Sequence, residues 1–170
     1  AIHPEPERNM AAIPRNQRRS IRQGEKFGLI ATVGGEELLR DFYHVYSTSL
    51  RNLGTPVYPL ALFRRMLHEF GPACRILTVT REGRTVAGVL TFFFRDQVLP
   101  YYGGALRPAF RFAANDFMYW RLLCYGAEHG SRVFDFGRSK RGSGSYDFKR
   151  HWGFEPSGLV RACHQAMFGD

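Results

Sequence analysis

A segment of glycines, cations and aromatic rings, residues 134–154, begins at the end of a β-forming run over 132–136. Glycines let backbone N–H groups approach an anion, and Arg138, Lys140 and Arg141 add positive charge. In open α/β sheets, ligands bind beyond the carboxyl ends of the strands. The segment therefore predicts a cradle for an anionic, phosphate-bearing substrate. The alternative is a solvated basic loop followed by an amphipathic turn that buries Tyr146, Phe148 and Trp152.

Most of the substrate contacts that we predict come from this segment. The predicted contacts are Arg138, Ser139, Lys140, Arg141, Gly142, Gly144, Tyr146, Trp152 and, from an earlier strand, Tyr102. Asp135 and Asp147 are candidate bases or orienting groups, although capping of backbone N–H groups is the favoured interpretation. Tyr101 and Tyr102 are candidates for lining a cleft, although tyrosines in strands most often belong to the core.

The histidines and cysteines do not indicate a metal site. The six histidines show no paired ligand spacing, so we predict that no metal is bound. Cys74, Cys124 and Cys163 form neither a CxxC pair nor a disulfide framework, which favours a reducing compartment. No run of 18 apolar residues predicts a membrane span. We therefore expect a cytoplasmic location.

Charge and length limit the possible classes of protein. The 170 residues suffice for one domain, and 44% are hydrophobic, which is unlike a disordered chain. The net charge is +9, and all the basic residues except Lys26, Lys140 and Lys149 are arginine. An anionic partner is expected. A basic nucleic-acid-binding module is therefore a rival interpretation, although no signature of the common RNA-binding or zinc-binding modules is present.

The elements that must position the segment follow from hydrophobic spacing and turn residues. In chain order, the pattern predicts a strand over 27–33, a helix after Gly34-Gly35, a helix from Pro59 to Gly71, strands over 75–80, 85–94 and 98–105, a helix from Asp116 capped by Asn115, a strand over 132–136 and a last strand over 159–168. The strand over 85–94 is apolar on both faces, so helices must cover both sides of the sheet. Pro100 indicates either a bulge that separates its strand from a neighbour or a plain edge strand.

The first 26 residues differ from the remainder. Residues 1–12 are polar and predict an irregular lead-in, whereas the run from Pro14 to Gly24 predicts a short basic helix. That helix has few apolar residues and must pack on something else. We expect residues 1–26 to be a lead-in and linker helix from a missing N-terminal domain, and residues 27–170 to be the domain proper.

Two stretches resemble signatures of FemAB-like proteins: Phe134-Asp135-Phe136-Gly137-Arg138-Ser139 and Tyr146-Asp147-Phe148-Lys149-Arg150-His151-Trp152-Gly153-Phe154. The chain is most similar to the FemAB-related proteins associated with PEP-CTERM (exosortase) systems. Tyr101 to Ala105, Asn115 to Trp120 and the basic linker also look like that group. The resemblance implies an α/β fold of the N-acetyltransferase (GNAT) type, with a mixed, mainly antiparallel sheet, and two such domains in tandem.

The resemblance also implies an acyl or aminoacyl transferase acting on an amine of a cell-envelope, peptidoglycan-like or exopolysaccharide-related acceptor. In Fem aminoacyltransferases the Lys of a Phe-Lys-x-x-Phe-Gly motif lies at the reaction centre, and Lys149 matches it; Trp152 replaces the usual Phe. A cation there stabilises the oxyanion of acyl transfer. The implied donor is acyl-CoA or aminoacyl-tRNA, with no tightly bound cofactor and with peripheral contact at the inner membrane. The acetyl-CoA loop signature is weak, because Ser139 stands at its first position. A non-catalytic scaffold domain is a further alternative.

Overall fold

The computed structural model describes residues 1–137, 139 and 141–153. In chain order, its elements are α1 (Pro6–Ala12), α2 (Arg15–Lys26), β1 (Ile30–Gly34), α3 (Leu39–Asn52), α4 (Leu60–Phe70), β2 (Cys74–Arg81), β3 (Arg84–Phe94), β4 (Gln97–Ala105), α5 (Ala114–Glu128), β5 (Val133–Phe134) and α6 (Gly144–His151). The predicted strand over 159–168, Arg138 and Lys140 lie outside the described residues. The predicted order of helices and strands is otherwise confirmed.

The five strands form one sheet in the order β1-β2-β3-β4-β5. The first four strands are antiparallel, and β5 pairs parallel to β4. Glu82 and Gly83, with φ of 52° and 73°, make the tight turn between β2 and β3, because positive φ at both positions matches the twist of a hairpin. The sheet is therefore mixed and mainly antiparallel, as expected.

Helices cover both faces of the sheet, because β3 is apolar on both sides. On one face, α3 and α4 bury Phe42, Phe63 and Leu90; on the other, α2 and α5 bury residues that include Ile21 and Val89. A pair of glycines facing each other in β3 and β4, Gly88 and Gly104, lets α3 approach the sheet closely. The prediction of two covered faces is confirmed.

The expectation of an irregular lead-in over residues 1–12 is wrong. Residues Pro6–Ala12 form α1, and the Ile2 amide donates a 2.6 Å hydrogen bond to the Arg132 carbonyl. Ile2 and Ile13 are both 5% exposed and pack into the core, so burial of apolar side chains orders a segment that is polar on average. The predicted basic helix is confirmed as α2, with Ile21 fully buried.

Two predicted boundaries also differ from the structure. Asn115 is not the N-cap of α5; Ala113, with φ of 55°, holds that position without a side-chain cap. A 3-10 segment over Arg107–Phe112 precedes Ala113 and turns the chain into the helix, so the helix begins before the polar cap residue. The strand expected over 132–136 is only Val133–Phe134, because its pairing with β4 stops early.

Candidate functional site

An opening lies between β4 and β5. Only Gln97 and Val98 of β4 pair with β5 in the part of the chain that the structure describes. The ladder ends where the Asp135 amide donates to the Val98 carbonyl at 2.9 Å. Beyond this point, the described residues offer the β5-facing edge of β4 no strand partner. Backbone groups of β4 therefore face the opening.

Pro100 explains why the two strands separate. The Val98 carbonyl is directed toward β5. Backbone groups of residues two apart in a strand point to the same side, so the backbone nitrogen of Pro100 also faces β5. Proline has no N–H to continue the ladder. The register then shifts, with Leu90 opposite Tyr102 and Thr91 opposite Pro100, so that Tyr101 is bulged. Of the two interpretations of Pro100 that the sequence left open, the structure shows a bulge, which lies next to Pro100 at Tyr101 in the pairing of β4 with β3.

The chain beyond β5 turns through two glycines before α6. Gly137 and Gly142 have φ of 65° and 77°, a conformation that side chains disfavour. The Ser143 hydroxyl caps α6 by accepting from the Tyr146 amide at 3.3 Å. The Ser139 hydroxyl is buried and has no hydrogen-bond partner among the described residues. Arg141 and Gly144 are exposed. The residues at and just before the start of α6 are therefore polar and, at Arg141, cationic.

Lys149 connects α6 to the end of β5. Its Nζ donates to the carbonyl of Phe136 and, at 3.0 Å, to that of Gly137. Desolvation by burial lowers the pKa of Lys149, and the nearby Asp135 carboxylate opposes that change. Asp135 itself accepts from the Gly137 amide at 2.7 Å, the capping role that the sequence favours. The Lys149 charge thus lies at the strand end, held half-buried by backbone carbonyls.

Aromatic packing fixes the helix that carries Lys149. The Tyr119 ring of α5 lies 5.4 Å from that of Phe148 and 5.0 Å from that of Phe136. Trp152 is 3% exposed, and its indole N–H donates to Asp116 at 3.2 Å. Trp152, predicted as a substrate contact, is therefore placed within the core, where it anchors the end of α6.

Asp116 is a connecting residue that the sequence did not indicate. Its Oδ1 accepts from Gln17 of α2 at 2.7 Å as well as from Trp152. Burial raises the pKa of Asp116, while the hydrogen bonds from Trp152 and Gln17 and the nearby His151 lower it. Asp116 therefore joins α2, α5 and the chain after α6.

Tyr102 belongs to a different surface. A cavity of about 440 Å³ lies between α3, the α3–α4 loop and β4, and Tyr46, Tyr58, Tyr101 and Tyr102 contribute to its wall. We call it the tyrosine pocket. The remaining lining residues are Leu50, Thr55, Pro56, Val57 and Gly103. The sequence named Tyr101 and Tyr102 as candidates for lining a cleft, but it did not predict the rest of the wall, which comes from α3 and the α3–α4 loop.

The predicted contacts thus fall into two groups. Ser139, Arg141, Gly142, Gly144 and Tyr146 accompany Lys149 beyond β5, whereas Tyr102 lies on the face covered by α3 and α4. Among the described residues, no three His, Cys, Asp or Glu side chains cluster as metal ligands. No helix over the same residues is long and apolar enough to cross a membrane.

A family model described as an acetyltransferase (GNAT) domain matches residues 12–150. The sequence has no significant match among curated proteins. The structure of FemX aligns with a TM-score of 0.78 at 16% identity, covering 88% of this chain and 56% of FemX.

Two other solved structures share the fold. The aminoglycoside acetyltransferase AAC(6')-Iy, in complex with the bisubstrate analogue CoA-S-monomethyl-acetylneamine, aligns with a TM-score of 0.61 at 13% identity, over 78% of this chain and 94% of that one. The C-terminal domain of a putative lysylphosphatidylglycerol synthetase from Agrobacterium fabrum aligns with a TM-score of 0.58 at 16% identity, over 72% and 40%. The chain spans a little over half of FemX, and identities this low establish the fold alone.

Proposed function

Because this chain belongs to the acetyltransferase (GNAT) domain family, we propose that it transfers an acyl or aminoacyl group to an amine of a cell-envelope or exopolysaccharide-related acceptor. The observation that carries the proposal is the opening between β4 and β5, which ends beside the Lys149 ammonium. An acyl carbonyl in that opening would meet backbone groups of β4 on one side and a cation at its end. Both can stabilise a developing oxyanion.

The reaction follows from this arrangement. The acceptor amine attacks the carbonyl carbon of an ester or thioester, and a C–N bond forms as the carbonyl becomes a tetrahedral oxyanion. The oxyanion collapses, the C–O or C–S bond breaks, and the alcohol or thiol leaves with the proton that the amine loses. Lys149 is the residue that we propose opposite the oxyanion, since its ammonium is partly desolvated and is held by two carbonyls.

The donor is proposed to be acyl-CoA or aminoacyl-tRNA. Both carry phosphates, and the N-terminal end of α6 offers the exposed Arg141 and exposed backbone at Gly144. Helix N-termini and arginines favour such anions. Binding of the CoA analogue by AAC(6')-Iy supports the first donor, and the likeness to FemX supports the second.

A FemAB-like role in a PEP-CTERM system rests on the motif around Lys149. Since the chain spans 56% of FemX, we propose that a second domain of the same type precedes it in the complete protein. Arg138 and Lys140, which lie outside the described residues, stay proposed contacts of the anionic donor.

The test uses the full-length protein with ¹⁴C-acetyl-CoA or ¹⁴C-aminoacyl-tRNA and a cell-envelope extract. Label should enter a product that resists neutral hydroxylamine, because amides survive the treatment that cleaves esters and thioesters. Lys149→Ala should lower kcat/KM about 10²- to 10³-fold, as for loss of an oxyanion donor. Arg141→Ala should mainly raise KM.

Arg150→Ala is the matched control, since Arg150 is an exposed cation on the same helix. It should leave the rate within about twofold of the unaltered protein. Circular dichroism at the assay temperature verifies that each variant is folded. An unchanged rate for Lys149→Ala overturns its role. Absence of transfer with both donors, together with salt-steep binding to arbitrary DNA, would favour the nucleic-acid-binding rival.

A further inference from the structure

The tyrosine pocket has the size of a ligand site and no charged wall. Its volume of about 440 Å³ lies within the range of small-molecule sites. None of its lining residues is Asp, Glu, Lys, Arg or His, although the chain carries a net charge of +9. The pocket therefore offers no counter-charge to an ionic ligand.

The pocket is nevertheless not purely apolar. Tyr46 is 3% exposed as a whole residue, and its side chain, which ends in a hydroxyl, lines the pocket. Burial raises the pKa of Tyr46 to about 12, with further contributions from Tyr102, Tyr58 and Tyr43. The phenol is therefore a neutral donor and acceptor. Leaving such a group unpaired costs about 1–3 kcal/mol, so a hydrocarbon occupant would not satisfy this wall.

The tyrosines also present ring faces at fixed angles. The ring of Tyr102 lies 6.2 Å from that of Tyr46 and 5.9 Å from that of Tyr58, at 86° and 79°. The bulge places Tyr101 beside it, at 5.3 Å. A backbone contact holds the loop, since the Tyr43 hydroxyl donates to the Tyr58 carbonyl at 3.1 Å. The wall therefore combines aromatic faces with neutral hydroxyls.

We propose that the tyrosine pocket binds a neutral, polyhydroxylated ring, that is, a sugar unit. The C–H groups of such a ring pack on aromatic faces, and its hydroxyls exchange hydrogen bonds with tyrosine hydroxyls. Tyr102 and Gly103 of the pocket lie on β4, the strand that also borders the opening to β5. A sugar held here would lie on the face covered by α3 and α4, against the strand that also borders the proposed reaction site. That the bound sugar is part of the acceptor rests on the proposed function. That the pocket binds a sugar does not depend on it.

The test measures binding without any donor. Trehalose is the probe for a neutral polyhydroxylated ring, with cyclohexanol and tetramethylammonium chloride as the apolar and cationic probes. Each is titrated into the full-length protein by isothermal calorimetry, with saturation-transfer NMR as the second readout. We expect trehalose to bind more tightly than the other two probes.

Variants locate the site. Tyr46→Phe removes only the hydroxyl and should weaken trehalose binding about 2- to 10-fold, the usual value of one hydrogen bond. Tyr58→Ala removes an exposed ring and should weaken it by a similar factor. Tyr125→Phe, on α5 against Phe93 and His129, should have no effect.

The contrary outcomes are equally definite. No detectable binding of trehalose, tighter binding of cyclohexanol or of tetramethylammonium, or full trehalose affinity in Tyr46→Phe would each overturn the proposal. Sugar binding in a protein without transfer activity would leave this proposal standing and the proposed function refuted. Transfer activity without sugar binding would refute the sugar site and leave the proposed function standing.

Discussion

The Lys149 ammonium and the Asp116 carboxylate show how single charged groups hold the end of α6. Lys149 donates to the carbonyls of Phe136 and Gly137, which ties α6 to the chain just after β5. Asp116, on α5, accepts from the indole N–H of Trp152 and so holds the C-terminal end of α6. Substitution of either residue therefore affects the placement of the site as well as the local charge.

Asp116 gives a prediction about pH. Because the pKa of Asp116 is raised in the folded protein, the folded carboxyl keeps its proton to higher pH than the unfolded one. Its contribution to the free energy of unfolding is therefore fully present below the ordinary pKa of about 4 and is lost as pH rises through the raised value. Asp116→Asn keeps an acceptor oxygen without the charge. It should be at least as stable as the unaltered protein at pH 7.5 and should flatten this pH dependence.

Urea unfolding at pH 5 and pH 7.5 measures the effect. Asp116→Ala is the comparison, because it leaves the Trp152 and Gln17 donors without an acceptor and should cost about 1–3 kcal/mol. If Asp116→Asn proved as unstable as Asp116→Ala at pH 7.5, the charge itself would be stabilising, contrary to the raised pKa.

The close contact between α3 and the sheet depends on Gly104. A Cβ at this position would come within 2.7 Å of Ser49 Cβ and 3.4 Å of Tyr46 Cα. Gly104→Ala should therefore cost about 1–3 kcal/mol, since overpacking forces helix and sheet apart. Urea denaturation measures the cost.

Ser49→Gly removes the atom that the new Cβ would strike. The double variant should therefore be more stable than the sum of the two single effects. Gly144→Ala is the matched control: no atom lies within 4 Å of its Cβ position and it sits in α6, so it should be neutral or slightly stabilising. If the losses in the free energy of unfolding of the two single variants simply added in the double variant, the clash with Ser49 would not be the reason that Gly104 is needed.

Most of the elements could be predicted from the sequence, because periodicity and turn residues act locally. Glu82-Gly83 marks the hairpin, and the apolar residues of β3 on both faces require two layers of helices. The boundaries at Ala113 and β5 could not be predicted. The first depends on a 3-10 segment with no sequence signature, and the second on where pairing with β4 ends.

The site was predicted in part. Lys149 and the glycine turns lie in one stretch of sequence, so their proximity followed from the motif. The tyrosine pocket and the hydrogen bond between Gln17 and Asp116 join residues from distant parts of the chain. Spacing along one segment carries no signal for such contacts. The sequence offered burial of Trp152 only as the alternative to a substrate contact, since only the packed fold shows that its ring lies in the core.

At the scale of the whole molecule, residues 1–26 belong to the same hydrophobic core as the rest of the chain. Ile2, Ile13 and Ile21 are buried in one cluster with residues of β2, β3 and α5. Gly24 of α2 faces Phe117 of α5, where an added Cβ would come within 2.9 Å of Phe117 Cβ. A segment expected to link two domains therefore also covers one face of the sheet.

This packing predicts that removal of residues 1–26 will unfold or aggregate the remainder, because the α5 surface beneath α2 would be exposed to water.

Ile21→Ala tests the packing of α2 on the core with a single substitution. Ile21 is 0% exposed, and a large-to-small change at a buried isoleucine costs about 2–5 kcal/mol. Arg22→Ala, at an exposed position one residue further along α2, should change stability by about 0.5 kcal/mol or less. Urea unfolding followed by tryptophan fluorescence reports the difference, since Trp120 and Trp152 both lie in the affected core. A fragment of residues 27–170 that unfolds cooperatively with the midpoint of the longer chain would instead restore the linker interpretation, because α2 would then add no stability.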